Sequence, residues 1–383
     1  MELSFRIKFS LIRKISGYEL PAISKQRDFG SNYMKKNENN TIIDSEGKIL
    51  FFGLNDFLTD IAQKNNCFIC GAEPSTKKFN DEHVIPDWIL KKYKLHSKKI
   101  TLNNGSKLNY GHYKIPCCQD CNTELGRIYE LPLSKLLSKP YTEICHEIDA
   151  NPEISKLIFK WLSIIFIKTH LKDKSLLKER DLSKQTGFIG DNHYWEDMHH
   201  VHCISRSHYT NAIIDIQVYG TLLVLPALCN EGTDDFDYID SESGKAVMLK
   251  LGEFCVVAVL NDSGATYSLF AEVIRKINGP LSSFQIREIV AHLNFLNLSL
   301  KEKPVYQSSI KGNGEYKIIT ILPEKINLID EVEGSVTAGD FLRYYVENMI
   351  GDIKNREQIL DEIQKGTRNY LLDENGEFIN HSL

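Results

Sequence analysis

No run of apolar residues here is long enough to span a membrane. The longest candidate, residues 157–171, is interrupted by Lys160, Lys168 and His170 and reads as a buried helix. The opening residues, Met-Glu-Leu-Ser-Phe-Arg-Ile-Lys, alternate in polarity and do not form the continuous apolar stretch of a secretory leader. A cytoplasmic, reducing environment is therefore expected. A glycine-rich phosphate loop is missing, so nucleotide hydrolysis by this chain is not expected. Internal repeats and low-complexity tracts are also absent. The nine cysteines (67, 70, 117, 118, 121, 145, 203, 229 and 255) are an odd number, which excludes a fully paired disulfide framework and points to thiols and metal ligands. Nor is there a global excess of positive charge, the net value being −5.

That average conceals a local excess. Residues 74–114 hold nine lysines (77, 78, 91, 92, 94, 98, 99, 107 and 114) against Asp81, Glu82 and Asp87, a net +6 that leaves −11 for everything else. A polyanion would be steered to such a stretch, although a lysine-rich solvated face has the same composition. With 383 residues, 42% of them hydrophobic, the chain is sufficient for two or three domains.

Alternation in residues 1–12 predicts a strand, and the polar residues 25–48 a loop. A strand at 49–52 and a short helix at 55–64 follow, then a strand over 78–85 that Pro86 stops. Asp87 is placed to cap a helix over 88–93. Residues 100–102 and 107–115 read as a hairpin ended by Pro116, with a helix from about 120. An almost wholly apolar helix is expected at 154–171, with 176–182 continuing helically. Strands are expected at 200–205, 212–218, 221–226, 254–260, 267–273 and 317–322. Helices are expected at 283–297, where Ser282 and Gln285 have capping-box spacing, and at 340–350 and 356–364. The acidic residues Asp234, Asp235 and Asp237 read as a solvated turn.

Chemistry concentrates in residues 67–122. Cys67 and Cys70 form one Cys-x-x-Cys pair, and Cys118 and Cys121 a second about fifty residues on. Two such knuckles brought together make a closed tetrahedral zinc site, with Cys117 an alternative to Cys118. Between them lies Asp81-Glu82-His83-Val84-Ile85-Pro86-Asp87-Trp88, and Asn122 follows the last cysteine directly. A second group, His193, Glu196, Asp197, His199, His200, His202 and Cys203, matches no ligand spacing; a surface strand is its default reading, with a metal site or a nucleic-acid or partner surface as alternatives.

The set Cys67-x-x-Cys70, Glu82-His83-Val-Ile-Pro86 and Cys118-x-x-Cys121-Asn122 resembles the HNH endonucleases of the ββα-metal fold, among them bacterial proteins of antiphage defence and restriction. The likeness covers about residues 65–131. It implies a zinc-stapled nuclease core at 65–136 in an α+β protein. An α+β element at 1–64 and a larger α+β C-terminal domain at 137–383 are read from the rest of the chain, the latter expected to recognise a partner protein, a ligand or a DNA structure and so to gate cutting. The likeness further implies hydrolysis of DNA, with His83 as general base and Glu82 and Asn122 holding catalytic Mg²⁺ or Mn²⁺. Asp81 is an alternative to Glu82. The residue that orients His83 would be His112 or Asn109, which a strand would turn to opposite faces. Glu130 is an accessory contact or a surface residue. A partner protein of a multi-gene defence system is expected beside DNA. A zinc-stabilised binding module without catalysis, or an RNA-cleaving toxin, shares the same cysteines and lysines.

Overall fold

The computed structural model describes residues 8–9, 34–102, 104–179, 181, 183–184, 186–229, 235–311, 315–330 and 335–381. Most of the predicted 1–12 strand lies outside them. Its two described residues, Lys8–Phe9, pair antiparallel with Leu223 and Val224.

The chain is mixed α+β, built around one five-stranded antiparallel sheet in the order Lys8–Phe9, Thr221–Pro226, Phe254–Val259, Ala246–Leu251, Phe236–Ser241. Every residue of the three central strands is buried. Their apolar runs are continuous because both faces are covered. Leu222, Val224, Val247, Leu249, Val256 and Ala258 face one core. Leu223, Leu225, Met248, Val257 and Val259 face another, closed by the Ala265–Lys276 and Ser283–Leu298 helices. The Ala338–Val346 and Arg356–Gln364 helices add a small satellite core. Among the described residues, no helix is long and apolar enough to cross a membrane.

The spine of the first core is the Glu153–Asp173 helix, apolar nearly all round as its sequence predicts. Four buried polar residues near its C-terminal end, Lys168, Thr169, His170 and Asp173, reach in two directions. Thr169 meets Tyr238 of the sheet at 2.6 Å, and His170 lies 3.2 Å from Asp240. Asp173 accepts from Tyr113 at 2.7 Å, and Lys168 enters the cysteine-rich region. This core extends from Phe52 to Ile318 and runs across both expected domain boundaries.

Several local expectations are corrected. Residues 200–205 belong to a helix, Trp195–Ser205, which buries Met198, Val201, His202 and Ser205 at helical spacing. Residues 267–273 lie in the Ala265–Lys276 helix, whose buried Tyr267, Phe270, Ala271 and Ile274 are three and four apart. Asp235 precedes a strand, Phe236–Ser241, in which Asp237 pairs with Arg287 at 2.6 Å; Asp234 lies outside the described residues. The predicted loop at 25–48 contains two short strands, Met34–Lys36 and Ile42–Asp44, paired with Ile49–Phe51. Residues 176–179 are not helical; Leu177 forms an isolated bridge with Phe188. Of 212–218, only Ile213–Ile214 is strand. The Tyr141–Ala150 helix and the Ala246–Leu251 strand had no predicted counterpart.

One buried acid gives the C-terminal region a pH dependence. Glu288, in the Ser283–Leu298 helix, is pushed up to about 7 by burial, although it accepts from the backbone N–H of Tyr370 and Leu371. The folded state therefore holds a proton that the unfolded chain has already released, so the contribution of Glu288 to stability falls as pH rises from about 4.5 through about 7. Buried or half-buried His193, His199, His200, His202, His208 and His292, all lowered by burial, act in the opposite direction, so the readout is a difference: from pH 5 to pH 8 the stability of Glu288→Gln should rise relative to wild type. Denaturant unfolding at the two pH values measures it, and an equal change in both proteins would place the dependence elsewhere.

Candidate metal centre and the residues around it

The first knuckle is a tight backbone turn. The Cys67 N–H reaches the Ala72 carbonyl at 2.9 Å and the Gly71 N–H the Cys67 carbonyl at 2.8 Å. Gly71 sits at φ +79°, and a Cβ there would stand 2.5 Å from the Phe52 ring, so the position requires glycine twice over. The second knuckle joins a strand, Lys114–Cys118, to the Gln119–Leu125 helix. That strand pairs antiparallel with Phe79–His83 in the register Phe79 to Cys118, Glu82 to Ile115 and His83 to Lys114. It runs through Pro116, which was expected to end it. A two-stranded sheet leaves each strand an open edge, where proline is tolerated. The result is a strand–strand–helix unit with one knuckle before it and one inside it.

Cys67, Cys70, Cys118 and Cys121 are all buried, and their sulfurs lie within 4.8 Å of one another. Cys118, not Cys117, completes the four; Cys117 is buried beside them with its sulfur 3.8 Å from that of Cys67. S–H donation from Cys117, then from Cys121 and Cys70, holds the Cys67 thiol far below its ordinary value. Cys117 and Cys121 are pushed far up, first of all by their bonds to Cys67. One thiolate in the cluster thus suppresses the next. A tetrahedral dication relieves that conflict, and four buried thiolates with no open position are the donor set of a structural zinc.

Two histidines of the Trp195–Ser205 helix bond backbone carbonyls at or beside this knuckle. His199 donates to the Phe52 carbonyl and His202 to the Phe68 carbonyl, each at 2.7 Å. Arg206, buried, donates to the Ile69 and Ile49 carbonyls. His202 and Arg206 thus staple this helix to the knuckle backbone, while His200 stacks on the Tyr306 ring and His193 stands edge-on to His170 and Trp195.

Each residue expected in a reactive site has a definite place. His83, half-buried, ends its strand. Burial first, then the nearby Lys114 ammonium, hold its imidazole below the usual histidine range, so it is neutral at pH 7. Glu82 is buried, and its carboxylate accepts from Lys168 at 2.8 Å. The same ammonium donates to the His83 carbonyl at 2.7 Å. Asp81 is exposed. Asn122 donates to Asn80 at 3.1 Å, and no bond joins it to Glu82 or His83. His112 is exposed at the end of a 3₁₀ turn, Tyr110–His112, because the strand stops at Asn109; neither His112 nor Asn109 bonds to His83. Partly buried Glu130 is pushed up to about 7 by burial, against the pull of Lys168 and with the push of Glu82 and Asp87.

What stands beside His83 is a pair the sequence reading passed over. Asp87 opens the Asp87–Lys92 helix but caps nothing; its carboxylate meets Lys91 at 2.5 Å and His96 Nε2 at 2.9 Å. Burial works to raise the Asp87 carboxyl, and these two bonds overcome it and hold it low. The His96 ring stands edge-on to His83, centroids 6.0 Å apart. The chain matches no family model, no curated protein and no solved structure.

The expected oxygen site for a second, catalytic ion does not fit Glu82 and Asn122 as they are placed. Glu82 is already neutralised by a buried ammonium that a dication would meet as a like charge, and Asn122 is turned to Asn80. Lys168 was visible in the sequence only as a charge interrupting an apolar helix, and its partner lies 86 positions away.

Proposed function

We propose that this chain is a metal-dependent endonuclease of the HNH type that hydrolyses phosphodiester bonds in DNA, with its reactive centre at the His83 end of the Phe79–His83 strand. The observation that carries the reading is the strand–strand–helix unit bracketed by four clustered thiols, with neutral His83 at the open end of its first strand. Hydrolysis near neutral pH needs an imidazole lone pair free to accept a proton or bind a cation, and burial beside Lys114 supplies one. A divalent ion would neutralise charge on the scissile phosphate and favour departure of the 3′ oxygen. Lys91, on Asp87, and Lys114, beside His83, stand at this end, and exposed Lys92, Lys94, Lys98, Lys99 and Lys107 lie in the same stretch of chain, a charge that suits a polyanionic backbone.

In this reading the C-terminal region is the control element. Its central helix inserts Lys168 between Glu82 and the backbone of His83, so a partner that displaces the helix would alter the site directly. A restrained nuclease of a multi-gene defence system fits that design.

The test is plasmid cleavage by the purified chain with Mn²⁺ or Mg²⁺, beside His83→Ala, with single-stranded RNA as a parallel substrate. Loss of about 10²-fold or more in the variant is expected. Equal cutting by both proteins would overturn the role of His83. Cutting of RNA alone would favour the toxin reading. Retarded migration of DNA without cutting in either metal would leave the zinc-stabilised binding module, which the closed Glu82–Lys168 pair favours.

A further inference from the structure

We infer that His83, Asp87 and His96 form a second metal site, open to solvent and suited to a first-row transition ion such as Mn²⁺. The inference deepens the nuclease reading and rests on it for the use to which the ion is put; the site itself rests on geometry.

Each of the three residues offers one ligand atom, and these atoms lie within 4.8 Å of one another. Metal bonds of about 2.0–2.2 Å place neighbouring ligands roughly 3–3.5 Å apart, so small side-chain rotations close the set. The backbone fixes all three. His83 is the last residue of its strand. After Val84, Ile85 and Pro86, all buried, Asp87 is the first residue of its helix. Beyond that helix Lys94 turns the chain back at φ +54°, buried Leu95 anchors it, and the Gly111 N–H holds the His96 carbonyl at 3.2 Å.

The electrostatics favour a cation at one oxygen in particular. Lys91 occupies Asp87 Oδ2, while Oδ1 faces His96 Nε2 at 2.9 Å. A metal ion there takes the place of the hydrogen between carboxylate and imidazole. Two ammonium groups oppose the ion, exposed Lys91 on Asp87 Oδ2 and Lys114 opposite His83 on the paired strand. Two imidazoles and one carboxylate are a donor set for Mn²⁺, Fe²⁺, Co²⁺, Ni²⁺ or Zn²⁺ in preference to Mg²⁺, which prefers oxygen throughout. Unlike the thiol cluster, this set leaves coordination positions free: His83 and Asp87 are half-buried and His96 is exposed, so a phosphate oxygen and a water have access.

The measurement is Mn²⁺ binding to the zinc-loaded full chain, followed by electron paramagnetic resonance, with Asp87→Asn, His96→Gln and Asn122→Ala compared. Zinc content and thermal midpoint confirm that each variant is folded. One Mn²⁺ per chain is expected, with at least tenfold weaker binding in Asp87→Asn and His96→Gln and unchanged binding in Asn122→Ala. Absence of Mn²⁺ binding overturns the site, as does binding that Asn122→Ala abolishes and His96→Gln leaves intact. Plasmid cutting separates the two claims. Mn²⁺ held by these residues without cutting retains the site and overturns the nuclease reading; cutting that His96→Gln and Asp87→Asn leave unchanged retains the nuclease reading and overturns the use of this ion in it.

Discussion

Cys121→Ser, or removal of metal with a strong chelator under reducing conditions, should abolish the tertiary structure of the region from Phe52 to Leu137. Cys67, Phe68, Ile69, Cys118 and Cys121 are all members of the main hydrophobic core, so the thiol cluster is part of the packing and not an appendage to it. The strands it joins are only five residues each and make a two-stranded sheet, which is marginal without further support. His199, His202 and Arg206 attach a further helix to carbonyls at or beside the knuckle, so disorder there would spread. Binding of zinc to a four-ligand site is worth about 10–16 kcal/mol in zinc-finger peptides, comparable to the whole stability of a domain at about 5–15 kcal/mol. The expected results are one zinc per wild-type chain, no stoichiometric zinc in Cys121→Ser, and loss of its near-ultraviolet dichroism. Exposed Cys229, replaced by serine, should leave the zinc content unchanged. A zinc-free wild-type chain that unfolds cooperatively would refute the metal assignment.

Lys168→Met should destabilise the protein by about 3–5 kcal/mol, the usual effect of leaving one member of a buried ion pair alone. Lys168 and Glu82 side chains are 2% and 10% exposed, so neither charge has water to replace its partner. Partly buried Glu130 adds a third ionisable group to the same space, and removing the ammonium would push its pKa higher still. The double variant Lys168→Met, Glu82→Gln should recover much of the loss, because no bare charge then remains buried. A double-mutant cycle in denaturant measures the coupling, and strict additivity of the two single changes would show that the pair does not interact in solution. The variants also report on the site. Lys168 holds the His83 carbonyl as well as Glu82, so cleavage by a refolded Lys168→Met chain tests whether the central helix restrains or supports the reaction.

Parts of the fold were legible because local rules and tertiary packing agree on them. The Glu153–Asp173 helix, the Thr221–Pro226 and Phe254–Val259 strands and the capping box at Ser282 and Gln285 lie where periodicity and capping chemistry place them. Misreadings arose where an apolar run was too short to distinguish periods of two and 3.6. The segment His200-Val-His-Cys-Ile-Ser alternates as a strand would, yet folds as a helix because His202 and Arg206 are needed on the face that meets the knuckle. The strand expected from Lys107 to Ile115 splits at a 3₁₀ turn, since its two halves pair with different partners, Lys99–Thr101 and Phe79–His83.

What the sequence determined by itself was the thiol set. Two Cys-x-x-Cys pairs specify both the residue type and the tight turns that gather sulfur, so their convergence follows from local geometry once the strands between them pair. The environment of His83 was decided only in three dimensions. Lys168 reaches Glu82 from 86 residues away, and His96 reaches Asp87 across a helix and a left-handed turn. No spacing rule announces either contact, because each depends on how a helix end packs and not on the residues next to it. The same packing reassigns Glu82 from a free ligand to a neutralised buried acid and makes Asp87 and His96 the groups that stand open beside the neutral histidine.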